Sequence, residues 1–466
     1  MRYVSTRGQA PVLDFEGVTL TGLASDGGLY LPESWPQFSR EEIAAMRALP
    51  YPQLAARIMA PFTAGSLSQD ELLALCEAAY GGFAHAAVTP LVQLDERHWL
   101  LELFHGPTLA FKDVALQLLG LLFERFLEQR ERPLTIIGAT SGDTGSAAIH
   151  AVAGRENAQI FMLHPAGRVS EIQRRQMTSV SAVNVHNIAI DGGSFDDAQS
   201  MVKRMFADPA LTDTLDIGAV NSINWARLMA QVVYYFAAAL QLGAPDRKVA
   251  FSVPTGNFGD VFAGYVAAQM GLPVERLIVA TNKNDILARA IRDGDYSVGE
   301  SHATITPSMD IQVSSNFERL LFEANGRDAS ALAAQMEGFG KSRALALDPA
   351  QREGIAAMFS AERATPEETL AAMRWAYEAC GEVIDPHTAV GLHAARHQDA
   401  IDPAVPIVTL ATAHPAKFPD AVRQAIGQEA ALPARVGDLF AMEERCETLP
   451  ADYDAVRDYI SAKATR

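Results

Sequence analysis

The sequence is poor in cysteine and in basic residues, and it has no apolar run long enough to cross a membrane. The three cysteines are Cys76, Cys380 and Cys446. They are far apart and form no CxxC pair, which argues against a disulfide framework or a zinc site and indicates reduced thiols. The best candidate for a membrane span, residues 228–242, is interrupted by Gln231 and Gln241 and predicts a buried helix instead. Because the N-terminus also lacks the apolar core of a signal peptide, we expect a cytoplasmic protein.

The excess of acidic over basic residues limits the kinds of molecule that we expect the protein to bind. The 466 residues include 56 acidic and 38 basic side chains, which gives a net charge of −18. Nucleic acids and anionic membrane surfaces are bound through basic faces, so we expect neither as a partner. An anionic small molecule stays compatible with this composition, because a few local cations make a pocket positive inside an acidic protein.

Strand and helix patterns alternate from about residue 94 onward, in two clusters that meet near residue 215. This alternation predicts an α/β fold with two parallel-sheet lobes. The leading segment differs, because it combines a hairpin-like stretch with short helices, one of which has a capped start at Ser68. We expect an N-terminal domain over 1–93, lobes over 94–215 and 216–430, and a C-terminal extension over 431–466. The Ala-rich stretch near 328–379 predicts a helical insertion in the second lobe.

Three loops follow predicted strands and precede predicted helices. They are residues 138–145 (GATSGDTG), 254–260 (PTGNFGD) and 411–417 (ATAHPAK). Helix N-termini present unpaired N–H groups that bind phosphate or carboxylate, and glycine lets an anion come close. The two glycine-rich loops match neither GxxxxGK[ST] nor GxGxxG, so nucleotide binding is weakly supported. One such loop is usually a tight turn without a ligand, whereas three at equivalent positions favour a shared ligand.

Lys112 lies directly before an apolar helix predicted over 114–126. Burial lowers the pKa of a lysine and leaves a free amine for imine formation. The alternative is a lysine that reaches solvent and pairs with Asp113. The local pattern leaves both interpretations open.

Six motifs, in chain order, resemble those of threonine synthases: HGPTLAFKD, ATSGDTG, NSINWARL, PTGNFGD, TNKND and TAHPAKF. The leading YVSTRG and GLASDGGLY are also similar to that family's N-terminal signature. The resemblance runs to about residue 430 and implies a pyridoxal-phosphate enzyme of fold type II, with two parallel-sheet lobes after a small N-terminal domain. It further implies the conversion of O-phospho-L-homoserine and water to L-threonine and phosphate, the last step of threonine biosynthesis. We expect a monomer or a homodimer.

The same resemblance implies roles for individual residues. The expected cofactor residues are Lys112, Gly256, Asn257, Phe258, Gly259 and Thr412. Lys112 would form the Schiff base and act as the catalytic base, the four residues of the second loop would hold the cofactor phosphate, and Thr412 would hydrogen-bond the pyridine nitrogen. The expected substrate residues are Ser141, Gly142, Asp143, Thr144, Ser222, Asn224, Arg227 and Lys283. The first four of these would hold the substrate carboxylate.

The substrate phosphate needs cations, and Arg227, Lys283 and Arg7 are the candidates, with Ser222, Asn224 and Asn284 as further donors. Arg227 could instead pair with a surface carboxylate, and Lys283 could be a solvated loop residue. No metal site is expected.

Three other functions compete with this interpretation. The closest is another enzyme of the same cofactor class, such as a threonine dehydratase or a phospholyase. The others are a binding protein without catalysis and a nucleotide-binding α/β protein.

Overall fold

The computed structural model describes residues 1–128 and 133–465. The strands are β1 (Tyr3–Ser5), β2 (Tyr30–Pro32), β3 (Leu91–Gln93), β4 (His98–Glu102), β5 (Leu134–Ala139), β6 (Ala158–Pro165), β7 (Val185–Asp191), β8 (Asp216–Gly218), β9 (Val249–Pro254), β10 (Val274–Thr281), β11 (Asp295–Ser297), β12 (Ala344–Ala346), β13 (Phe359–Arg363), β14 (Ile407–Ala411) and β15 (Glu447–Pro450). The helices are α1 (Phe15–Thr21), α2 (Arg40–Ala45), α3 (Tyr51–Thr63), α4 (Gln69–Tyr80), α5 (Lys112–Leu127), α6 (Asp143–Val152), α7 (Glu171–Thr178), α8 (Phe195–Met205), α9 (Pro209–Thr212), α10 (Trp225–Gln241), α11 (Gly259–Gln269), α12 (Ile286–Asp293), α13 (Phe317–Ala324), α14 (Ala329–Ser342), α15 (Pro349–Ala356), α16 (Pro366–Cys380), α17 (Pro386–Arg396), α18 (Pro419–Ile426) and α19 (Tyr453–Lys463).

Two mainly parallel sheets form the two lobes. The six-stranded sheet has the order β13-β10-β9-β14-β4-β3, and β3 is its antiparallel edge strand. The five-stranded sheet has the order β15-β7-β6-β5-β8 and is parallel throughout. The predicted α/β fold with two parallel-sheet lobes is therefore confirmed.

Strand pairing does not follow the predicted domain boundaries. β4 lies within the predicted first lobe, yet it pairs with β14 of the six-stranded sheet. β8 and β15 follow that lobe in the chain but belong to the five-stranded sheet. The stretch near 328–379 is not wholly helical, because β13 pairs with β10 at the sheet edge. These strands are three to five residues long, so their local patterns carry little information about their distant partners.

The N-terminal segment packs onto the larger lobe through a shared aromatic core. β1 and β2 are antiparallel, but α1 lies between them, so the segment is not a plain hairpin. The rings of Tyr3 and Phe62 lie 5.9 and 5.6 Å from the ring of Trp225, the first residue of α10. α4 begins with the predicted cap, in which Ser68 and Glu71 bond reciprocally to each other's backbone N–H groups.

Helix α10 is the predicted buried helix, since its residues from Trp225 to Leu240 are all buried. It packs against α3 of the N-terminal segment and against α5 and α11. Helix α10 therefore connects the N-terminal segment to the helix that begins at Lys112 and to the helix that follows the loop after β9. Among residues 1–128 and 133–465, no helix combines the length and the apolar character needed to cross a membrane.

The carboxyl ends of β5, β9 and β14 carry the three predicted loops, where ligands bind in open α/β sheets. The backbone N–H of Phe111 donates to the carbonyl of Thr412 at 2.8 Å, and Ala110 forms a bridge with Ala413. These contacts place the start of α5 beside the loop after β14.

The close approach of α5 and α6 gives a test of this packing. A Cβ added to Gly120 would lie 2.2 Å from the carbonyl oxygen of Ala151. We expect Gly120→Ala to lower the apparent midpoint of thermal unfolding, because overpacking of about 1–3 kcal/mol outweighs a gain in helix propensity of about 1 kcal/mol.

The matched control is Gly338→Ala in α14, where the added Cβ meets nothing within 4 Å and the midpoint should rise. A higher midpoint for both variants, in scans at one heating rate, would contradict the packing of α5 on α6.

Candidate active site

Lys112 is the first residue of α5, and the residue is 9% exposed. Its Nζ lies 3.7 Å from Oδ2 of Asp143 and 4.9 Å from the ring centre of Phe111. The alternative of a pair with Asp113 is wrong, because that carboxylate accepts hydrogen bonds from the backbone N–H and the hydroxyl of Thr108, at 2.8 and 2.7 Å.

Burial lowers the pKa of Lys112 below its usual value. Asp143 opposes this shift, while the cations of Lys417 and Arg227 add to it. The amine of Lys112 is therefore easier to obtain in its neutral, nucleophilic form than that of a surface lysine.

Asp143, the first residue of α6, lies between two lysines. Lys417 is fully buried and donates to Oδ1 of Asp143 at 2.7 Å and to the carbonyl of Thr108 at 2.7 Å. Gln173 also donates to Oδ1, at 2.8 Å. Burial by itself would raise the pKa of Asp143, but the two ammonium groups hold it well below the usual range, so this carboxylate stays ionised.

Lys417 was not among the predicted site residues, although it belongs to the TAHPAKF motif. Its only signal in the sequence is its position in an apolar stretch, between Ala416 and Phe418. The hydrogen-bond acceptors of Lys417 are distant in the sequence, so the motif alone does not identify them.

Arg227 lies in the first turn of α10 and is 3% exposed. One guanidinium nitrogen donates to the carbonyl of Val220 at 2.7 Å, while its buried Nε has no partner in the part of the chain that the structure describes. The alternative of a surface carboxylate is therefore wrong. Burial lowers the pKa of Arg227 to about 10, which keeps it a cation at neutral pH. It brings a charge and an unused donor to the surroundings of Lys112.

The second loop forms a narrow cradle at the N-terminus of α11. Phe258 adopts a left-handed conformation with φ of 62° and turns the chain into the helix at Gly259. A Cβ on Gly256 would lie 2.7 Å from the carbonyl oxygen of Ser308, so the backbone must approach that loop closely. The first N–H groups of α11 have no partners within the helix and can receive an anion.

Asp260 follows this cradle and limits the negative charge beside it. Its buried carboxyl group accepts hydrogen bonds from the hydroxyl groups of Tyr234 and Tyr235. Burial raises the pKa of Asp260 to about 7, so near neutral pH a large share of it is uncharged and does not repel an anion in the cradle.

Thr412 follows β14 in the third loop and is buried. Its backbone is fixed, since its N–H donates to the hydroxyl of Thr388 at 3.3 Å and its carbonyl accepts from Phe111. His414, two residues later, accepts a hydrogen bond from the N–H of Ala416 and shapes the loop.

Ser222 lies near the cradle, because Asn316 donates to the carbonyls of both Ser222 and Asn257, at 3.2 and 3.0 Å. Asn224 instead caps α10: its amide accepts from the N–H of Ala226 and donates to the carbonyl of Thr19. These contacts favour a structural role for Asn224 rather than the predicted substrate contact.

Three other predicted phosphate ligands have contacts that do not include Lys112. Arg7 forms a two-pronged ion pair with Glu318, at 3.1 and 2.9 Å. Lys283 is exposed at a surface cleft whose lining includes neither Lys112 nor Arg227. Asn284 donates to the Asp310 carboxylate at 3.0 Å. The structure therefore brings together Lys112, the three loops and Arg227, while Arg7 and Asn284 are engaged by other carboxylates and Lys283 lines a surface cleft.

A desolvated amine, an anion cradle and a buried hydroxyl suit the aldehyde, the phosphate and the pyridine nitrogen of pyridoxal phosphate. The residues present fit this cofactor. Fold and site thus define a pyridoxal-phosphate-dependent enzyme, and the family model for pyridoxal-phosphate dependent enzymes matches residues 83–413.

The comparisons narrow this class to one family. Residues 2–80 match the threonine synthase N terminus, and residues 388–460 match the threonine synthase C-terminal model. A threonine synthase of Pseudomonas aeruginosa is 55% identical over 100% of this chain and 99% of its own length. The structure of a threonine synthase from Brucella melitensis with bound pyridoxal phosphate is 52% identical, covers 100% of both chains and has a TM-score of 0.97. The yeast threonine synthase structure is 38% identical over 99% of this chain and 98% of its own, with a TM-score of 0.94. The chain belongs to the threonine synthase family.

The surroundings of Lys112 predict how cofactor attachment depends on pH. The neutral amine is the attacking form, and burial, together with the nearby cations of Lys417 and Arg227, lowers its pKa against the opposing effect of Asp143. We expect attachment to the apoenzyme, followed by the growth of the visible absorption band, to reach its maximal rate at a lower pH than for a free lysine.

The control is Nα-acetyl-lysine in the same buffers, which removes the titration of the cofactor itself from the comparison. An attachment rate that reaches its maximum at or above the pH found for Nα-acetyl-lysine would contradict a desolvated Lys112.

Proposed function

We propose that this chain converts O-phospho-L-homoserine and water into L-threonine and inorganic phosphate. The observation that carries this proposal is the cation set around Lys112. Lys417 is already paired with Asp143, whereas the buried Arg227 lacks a carboxylate partner and keeps an unused Nε–H among the described residues. A buried cation with an unused donor is suited to an anionic ligand, and guanidinium groups bind phosphate well.

Pyridoxal phosphate, when bound, supplies a ring that accepts negative charge from the carbon beside the substrate's amino group. In our proposal Lys112 holds its aldehyde end, the N–H groups of residues 256–259 hold its phosphate, and the hydroxyl of Thr412 hydrogen-bonds its pyridine nitrogen. The crowding of Gly256 against Ser308 and the left-handed Phe258 support the phosphate assignment.

The protein's part in the reaction is the movement of protons by Lys112. We propose that its Nζ removes a proton from the α-carbon and then one from the β-carbon of the substrate. As phosphate leaves from the γ-carbon, Nζ returns one proton to that carbon. The hydroxyl of water then bonds to the β-carbon while the remaining proton of that water goes to the released phosphate, and Nζ returns the second proton to the α-carbon. One amine can serve as base and then as acid because burial lowers its pKa toward the working pH.

We propose that the loop of residues 141–144 binds the substrate carboxylate at the N-terminus of α6, where unpaired N–H groups favour an anion. Gly142 has a φ of 143°, a conformation open to glycine and strained for other residues. Arg227 and Ser222 are the proposed ligands of the substrate phosphate. Asn224 keeps its capping role, and Lys283 stays outside the proposed site.

We also propose that the enzyme acts in the cytoplasm, which is supported by its three free cysteines. A monomer or a homodimer remains the prediction for its assembly.

The first test is a product analysis of the holoenzyme with O-phospho-L-homoserine. We expect equal amounts of phosphate and threonine, and we expect Lys112→Ala to lose both the products and the visible absorption band. Phosphate released together with a keto acid would instead identify a dehydratase or phospholyase. A bound cofactor without turnover would identify a binding protein.

A second test concerns Arg227. Arg227→Met removes a charged donor, so we expect the KM for O-phospho-L-homoserine to rise about 30-fold, which corresponds to roughly 2 kcal/mol. L-Threonine carries no phosphate, so its Kd, measured from the change in the visible spectrum, should stay nearly unchanged. Equal weakening of both ligands would place Arg227 away from the substrate phosphate.

A further inference from the structure

Lys417 is a fully buried lysine whose ammonium joins segments of both lobes. It lies in a short 3-10 turn after β14 of the six-stranded sheet. Its main partner, Asp143, follows β5 of the five-stranded sheet. The contact of 2.7 Å between Lys417 Nζ and Asp143 Oδ1 is therefore an ion pair between the lobes at the active site.

The second partner of Lys417 connects it to the start of α5. Its Nζ donates to the carbonyl of Thr108 at 2.7 Å, and the same carbonyl accepts from Gln176 of α7 at 3.1 Å. The hydroxyl and N–H of Thr108 in turn bond Asp113, the residue after Lys112. One ammonium group thus fixes the segment that carries Lys112 as well as the loop that carries Asp143.

The energetic cost of burying this lysine indicates that its position matters. Removing an ion from water costs several kcal/mol, and burial is tolerated only with close, well-directed partners. Lys417 has such partners in one carboxylate oxygen and one carbonyl oxygen. Asp143 is left with its Oδ2 directed to Lys112 at 3.7 Å.

We propose that Lys417 is a positioning residue, which holds Asp143 and the loop of residues 141–144 in the orientation that receives the substrate carboxylate. This inference rests on the proposed function for the identity of that ligand. Lys417 itself acts through Asp143 and the loop and does not contact the reacting atoms.

The loop can be tested in the apoenzyme, without any turnover. Gly142 and Gly145 both donate their N–H groups to the hydroxyl of Thr140, which closes the loop. In Lys417→Met we expect amide hydrogen exchange in residues 138–146 to accelerate about tenfold or more, since a lost anchor favours local opening. Lys248→Met, at an exposed lysine paired with Glu275, is the control and should exchange like the unaltered protein.

Measurements of ligand binding distinguish a positioning role of Lys417 from a general disruption of the folded protein. We expect Lys417→Met to keep the visible absorption band but to raise the Kd of L-threonine about tenfold or more, because misplaced contacts weaken binding and catalysis steeply. It should also move cofactor attachment to higher pH, since Lys417 is one of the groups that lower the pKa of Lys112. Lys417→Arg keeps the charge and should recover part of the affinity.

A double-mutant cycle with Asp143→Asn tests whether the effect of Lys417 on ligand binding passes through Asp143. If Lys417 acts through Asp143, the loss from Lys417→Met should largely disappear in the Asp143→Asn background. Lys417→Gln, which keeps a donor for Thr108, replaces Lys417→Met if the latter does not fold.

Unchanged loop exchange, unchanged threonine affinity or additive effects would each overturn the positioning role. Faster exchange in Lys417→Met, combined with an unaltered protein that makes no threonine, would support the ion pair between Lys417 and Asp143 as a link between the lobes. It would refute the proposed reaction instead.

Discussion

The site depends on the burial of one carboxylate between two lysines at the junction of the lobes. Asp143 gives its closer oxygen to Lys417 and only a 3.7 Å contact to Lys112. This unequal sharing is important, because a tight pair with Lys112 would keep that amine protonated and unreactive. Lys417 therefore neutralises the buried carboxylate and leaves Lys112 desolvated beside it. The arrangement requires loops from both sheets, so the two lobes must be in place before Lys112 has its reactive environment.

The fold was largely predictable where the information is local. Periodicity and capping within a short window of sequence predict several elements. These elements are the strands before the three loops, the capped helix over 69–80 and the buried helix α10. The membership of β4, β13 and β15 in particular sheets could not be predicted in this way. Each of these strands pairs with a segment at least about 80 residues away, and a short apolar or mixed strand does not specify its partner.

The site shows the same division between local and distant information. Lys112, the glycine-rich loops and Thr412 lie in motifs that could be found by inspection, and the fold brings them together. The pairing of Arg7 with Glu318 depends on a residue 311 positions away in the chain. The partner of Arg227 is closer in the chain, at Val220, but the burial of its guanidinium depends on the tertiary packing of α10. Asn224 illustrates a further limit, because an asparagine before a helix is equally suited to bind a ligand and to cap the helix. Only the occupied amide distinguishes the two roles.

The protein has a net charge of −18, yet its proposed site binds anions. This is possible because burial changes the charge of individual carboxyl groups near the site. Burial raises the pKa of Asp113 to about 6 and that of Asp260 to about 7, so both lose part of their negative charge near neutral pH. Asp143 stays ionised, but its charge is matched by Lys417. Arg227 and Lys112 then face a region with little uncompensated negative charge. The sign of the field at the site is thus set by which carboxyl groups are buried and paired, and the acidic surface has little influence on it, since salt screens exposed charges over about 8–10 Å.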